Sequence, residues 1–188
     1  MSLEDKRALK TMESTIAYED GHYKLGLPWR DENVKLPNNL PLAHARLNQL
    51  HRKLSHDPKL HEMYTATVSD YIQKGYAKEV TDVSNESSHI WYLPHHPVTN
   101  EHKPGKVRVV FDCAAKFKDV SLNSRLLQGP DFMNSLVGVL MRFRQDHIAL
   151  AADIEAMFHQ VRVKDDDCDA LRFLWWQLLT TVSYLKQR

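Results

Sequence analysis

Only two cysteines, Cys113 and Cys168, occur in 188 residues. Two thiols cannot staple a domain, and they fit a reducing, intracellular setting. No apolar run approaches the roughly 18 to 20 residues that a membrane span needs. The opening MSLEDKRALKTMES is charged and mixed, so no secretory leader is expected. The chain is accordingly expected in the cytoplasm or nucleus, not secreted. It shows no internal repeat, no low-complexity segment and no Gly-x-Ser-x-Gly elbow. The single glycine of KPGKV, residues 103–107, lacks the spacing of a P-loop. His51, His56 and His61 recur at every fifth position, which turns them around a helix instead of stacking them on one face. With His95–His96 beside Pro97 and no cysteine pair, they make no zinc set.

What is present is an ordinary globular balance, 43% apolar and 26% charged, sufficient for one domain or one domain plus a tail. The net charge of +1 hides a local basic field. Lys103, Lys106, Arg108, Lys116, Lys118 and Arg125 outnumber Asp112 and Asp119, and Arg142 and Arg144 follow. Such a field suits a polyanion, or simply a solvated face.

Periodicity divides the chain. Residues 1–39, broken by GLP and LPNNLP, read as an extended N-terminal arm. Leu40, Ala43, Leu47, Leu50 and Leu54 draw one helical stripe. A second helix starts at an Asp57 cap with Pro58 in the first turn, buries Leu60, Tyr64, Val68, Tyr71 and Ile72, and stops at Gly75. Beyond Tyr76 the texture turns to strands: YAKEV, HIWYLPHHPV, and GKVRVVFD with Val107, Val109 and Phe111 on one face and Arg108 and Val110 on the other. Asp131 is placed to cap a helix lined inside by Phe132, Leu136, Val139, Leu140 and Phe143. IALAADIEAMFHQVRV then reads as a strand ending at Asp153, followed by a turn at KDDDCD and a strand at ALRFLWW. The fold class is α+β. Its units are the arm 1–39, a main domain 40–176 and a divergent C-terminal tail 177–188.

Two places carry chemistry. The KPGK turn sets lysines on a hairpin tip with Arg108 on the outgoing strand, suited to gripping a triphosphate or to guarding a sheet edge. Asp153 can offer its carboxylate, and Ile154 its carbonyl, to Mg²⁺, or can cap a turn. In two-metal nucleotidyl transfer such an acid bridges the ions. Phe158, five residues on, can lie under a nucleotide sugar or fill the core.

Taken together, KPGKVRVVFDCAAK, SLNSRLLQGPDFMNSLVGVLMRFRQ and LAADIEAMFHQVRVKDDDCDALRFLWW resemble the reverse transcriptase of BEL/Pao-class LTR retrotransposons. YEDGHYKLGLPWRDE, LPNNLPLAHARL and YIQKGYAKEV resemble the segment leading into it, so the likeness runs from about Tyr18 to Trp176. It implies the fingers and first part of the palm of a right-hand polymerase. It makes Asp153 the catalytic, metal-binding acid, with Ile154 beside it, and Phe158 the sugar-discriminating aromatic. Arg108 falls at the triphosphate-contacting arginine, with the acid Asp112 four residues later, and a fingers lysine is either Lys103 or Lys106. Gln160 belongs to the matching stretch without an assigned role. The implied cofactor is Mg²⁺, and the implied partners are an RNA or DNA primer–template, a deoxynucleoside triphosphate and the remainder of a polyprotein, with no membrane.

The resemblance also implies an aromatic-x-Asp-Asp hairpin after LRFLWW, which these residues do not contain. Asp165, Asp166 and Asp167 lie too far along an extended chain to substitute and are expected as a solvated turn. The chain is therefore expected to bind Mg²⁺ weakly and to be inactive alone. The alternative is a host-retained module that binds nucleic acid or a polymerase without catalysis. A palm without its central strands is further expected to expose Trp175 and Trp176.

Overall fold

The computed structural model describes residues 1–31, 33–80, 89–103, 105–178 and 181–187, with the backbone alone at 177–178 and 181–187. Pro104, within the KPGK turn, lies outside the described residues, as do 179, 180 and 188 of the tail.

Most of the segment expected as an extended arm is built. Ser2 Oγ accepts from the Asp5 backbone N–H, and the Asp5 carboxylate accepts from that of Ser2, at 3.1 and 2.8 Å. This reciprocal cap starts helix α1 (Leu3–Thr15). Strands β1 (Ala17–Glu19) and β2 (His22–Leu25) form an antiparallel hairpin. Asp20 and Gly21, both at positive φ, make the tight turn whose twist matches paired strands. Only the stretch leading to residue 39 is irregular. Asn39, fully buried, gives and accepts hydrogen bonds with the backbone of Tyr92, standing in for a strand.

Helix α2 (Leu40–Ser55) follows its predicted stripe; in α3 (Pro58–Gln73) Leu60, Tyr64 and Val68 are buried as predicted, but Tyr71 is only half-buried and Ile72 is exposed. Asp57 caps α3 by accepting from Leu60 N–H at 2.9 Å. Strand β3 is Ala77–Glu79; β4 (His95–Thr99) and β5 (Val107–Phe111) form an antiparallel hairpin in which Val98 faces Arg108. Leu50, Leu54, Leu60, Tyr64 and Val68 pack on Val107 and Val109 of that hairpin. Alternation in β5 is as predicted, with Val107 and Val109 inward and Arg108 and Val110 outward.

The later elements are α4 (Leu122–Arg125), α5 (Leu136–Phe143), α6 (Met157–Gln160), β6 (Val161–Val163), a 3₁₀ helix at Asp165–Leu171, β7 (Arg172–Leu178) and β8 (Thr181–Gln187). Strand order is β1-β2-β6 in one sheet and β3-β8-β7 in a second, with β4-β5 forming a third. The architecture is α+β. Among the described residues no helix is long and apolar enough to cross a membrane.

Three expectations change. Residues 148–154 form no strand, because a strand needs a neighbour for its backbone groups and β2 pairs in parallel with Val161–Val163 instead. The helix expected from Asp131 starts only at Leu136. Asp131 spends its carboxylate on Met133 N–H, and the apolar side chains of α5 lie exposed instead of lining a core. Trp175, expected exposed, is buried against Tyr64, and Trp176 is half-buried: β7 inserts both into the helical layer.

Candidate functional site

The β4–β5 hairpin explains where the cations stand. Its two strands diverge into a tip closed by Lys103 N–H bonding the Asn100 carbonyl and Lys106 N–H bonding that of Lys103. Gly105, at φ 89°, supplies the left-handed residue the reversal needs. On one side lies an open cleft of about 420 Å³ lined by Val98, Asn100, His102, Lys103, Lys106 and Arg108, among others. Lys103, Lys106 and Arg108 thus share one concavity. Among the described residues no ion pair engages any of them. Three cations against one lining acid, Glu101, leave the concave surface net positive, which suits a phosphate chain. Asp112, at the end of this strand region, is turned to Arg46 at 3.6 Å and to the Ala114 N–H.

Asp153 and Ile154 lie in exposed coil, and Phe158, in α6, is 86% exposed. What fixes this stretch comes just after it. The His159 ring stacks on Tyr76 at 4.7 Å and 8°, and leans on Tyr71 at 4.7 Å. Burial lowers its pKa from the ordinary value, favouring a neutral ring. Gln160 Nε2 donates to the Glu155 carbonyl at 3.0 Å, and His22 Nδ1 donates to the carbonyl of Gln160 at 3.1 Å. Between them Ala156 adopts φ 51°, ψ 41°, a left-handed geometry that costs a side-chain-bearing residue about 1 kcal/mol. Tyr71 also relates the two places, since the charge of Arg108 opposes the upward push of burial on its hydroxyl pKa. Sequence reasoning gave His159 no part; its signal was a histidine spaced to meet two tyrosines at the end of α3.

Of the acid run expected as a solvated turn, Asp165 and Asp166 are exposed, but Asp167 is not. Asp167 is buried and accepts from Leu27 N–H at 2.8 Å and from Trp29 Nε1 at 2.7 Å. Asp165 pairs with Lys24 and Asp166 with Lys164. These acids are engaged structurally, each with a partner of its own.

Mg²⁺ in nucleotide sites is held by one or two carboxylates, with waters and substrate phosphates completing an octahedron. Asp153 and the Ile154 carbonyl could contribute to one hydrated ion. Among the described residues, no group of three His, Cys, Asp or Glu side chains is arranged to hold a metal. The donor set does not fit a two-ion centre, whose acids must reach ions about 4 Å apart. No protein-family model matches the chain, and a search of curated proteins finds no match.

Proposed function

We propose that this chain is part of a retroelement RNA-directed DNA polymerase, contributing phosphate-gripping fingers and the first acidic motif of the palm. The observation that carries the reading is the shared cleft of Lys103, Lys106 and Arg108, cations free of ion pairs among the described residues. A planar guanidinium can bind a phosphate through two parallel hydrogen bonds, while the ammonium groups act as mobile point charges. Asp153 is the acid that offers a carboxylate to Mg²⁺, and Phe158 the ring under the sugar. Their exposure leaves both open to a ligand. With one such acid, the chain on its own binds and orients but extends no primer.

A second reading, a nucleic-acid-binding or polymerase-interacting module without catalysis, draws on the same cleft together with the solitary carboxylate at Asp153. Binding of a labelled primer–template with Mg²⁺, with and without the deoxynucleoside triphosphate complementary to the template, separates the two. Tightening by that nucleotide alone, lost in Arg108→Ala and Phe158→Ala, supports the polymerase. Salt-dependent binding indifferent to nucleotide supports the module, because phosphate contacts release counterions. Failure to bind at low salt sinks both. Primer extension abolished by Asp153→Asn would overturn the expected inactivity.

A further inference from the structure

Helix α5 carries Leu136, Val137, Val139, Leu140, Met141 and Phe143, and none of them is buried. Leu136 and Met141 are 70% and 72% exposed. At 3.6 residues per turn these side chains sweep more than half of the helix surface. Ser135, Gly138 and Arg142 occupy the remaining stripe. Phe132 and Met133, just before the helix, are exposed as well. Together the eight exposed side chains form the kind of contiguous apolar surface that marks an interaction site.

Charge selects the occupant. Asp131 precedes α5 and Arg144 caps its end, while Arg142 stands on the polar stripe, away from the apolar face. A second copy laid antiparallel brings Asp131 of each chain toward Arg144 of the other and opposes the two helix dipoles. A parallel copy would set like against like. A lipid surface favours several cations along the polar stripe, and this stripe holds one. We propose that α5 is a self-association face on which two copies pair antiparallel about a twofold axis, through Leu136, Val137, Leu140 and Met141.

Sedimentation of the full chain from low to high micromolar concentration tests this. The expected result is a reversible monomer–dimer equilibrium, weakened more than about tenfold by Leu140→Glu, which would bury a charge in the interface. Arg144→Asp should also weaken it, and adding Asp131→Arg to that variant should restore it. Because all three positions are exposed, circular dichroism of the dilute variants should match the parent. A chain that stays monomeric overturns the proposal, whatever else covers α5. So does a dimer indifferent to Leu140→Glu, or association that continues beyond the dimer.

Discussion

The Tyr64 hydroxyl donates to Nδ1 of His95 across 2.7 Å in the middle of the core. The other ring nitrogen, Nε2, lies 2.8 Å from the Leu174 carbonyl oxygen. A carbonyl can only accept, so Nε2 carries the proton; with Nδ1 accepting from the Tyr64 hydroxyl, the ring is neutral. Three groups thereby tie α3, β4 and β7 together at one point. Burial holds the His95 pKa down at about 4 and pushes that of the Tyr64 hydroxyl well above its usual range.

Stability should therefore depend on pH through His95. Below the ordinary histidine value of 6.5 the unfolded chain takes up a proton that the folded chain refuses until about pH 4. The contribution is complete above pH 6.5 and is lost as pH falls toward 4, by about 3 kcal/mol. Urea unfolding across that interval should show the decline, and His95→Gln should remove this part of it. An unchanged slope in His95→Gln would assign the effect to other groups.

Neighbouring acids should behave very differently. Asp167→Ala strands the Leu27 N–H and the Trp29 indole N–H, and should cost about 2–4 kcal/mol. Asp165→Ala removes a surface pair with Lys24 and should leave the melting temperature nearly unchanged. Equal losses in the two variants would mean that Asp167 does not anchor the segment around Trp29.

Asn39 should tolerate no substitution. Asn39→Ala leaves a buried donor and acceptor of Tyr92 unmet, at a cost of about 2–4 kcal/mol. Asn39→Asp should be worse, because it sets a carboxylate against the Tyr92 carbonyl in a buried place. Thermal unfolding of both variants checks the order, and an aspartate milder than alanine would contradict it.

The turn at Lys118 and Asp119 should be improvable. Both residues have positive φ, 49° and 62°, between Phe117 and Val120, whose backbones bond each other reciprocally. That conformation is the one Asn-Gly prefers. Replacing Lys118 by Asn and Asp119 by Gly should raise stability by about 1 kcal/mol. A lower melting temperature would show that the native pair makes compensating contacts.

The legible parts of the fold are those where one local signal suffices. The leucines of α2 and the Asp57–Pro58 start of α3 declare themselves by spacing and capping, and β5 by alternation. Helix α1 buries only Ala8, so it has no apolar stripe to read. Its cap at Ser2 and Asp5, and the Asp20–Gly21 turn after it, were the available signs. Asp167 cannot be told from Asp165 in a run of three acids, because contacts with residues 27 and 29 decide which is buried. The basic tip was readable as a hairpin with lysines, but the cleft that gathers them with Arg108 depends on strand register. At Asp153 an apolar run suggested a strand, and only the choice of partner by β2 showed otherwise.

The parallel pairing of β2 with β6 has a consequence for the order of assembly. His22 and Gln160 meet across a separation of 138 residues. Closing a loop of that length costs about 4 kcal/mol in chain entropy before any contact rewards it. On a ribosome adding about 5–20 residues each second, the first hairpin waits roughly ten seconds for its neighbour to be made. The α2–α3 pair, joined by a short turn, needs no such delay. The N-terminal sheet is thus expected to be a late event in folding, and its exposed tyrosines, Tyr18 and Tyr23, are available to chaperones throughout that interval.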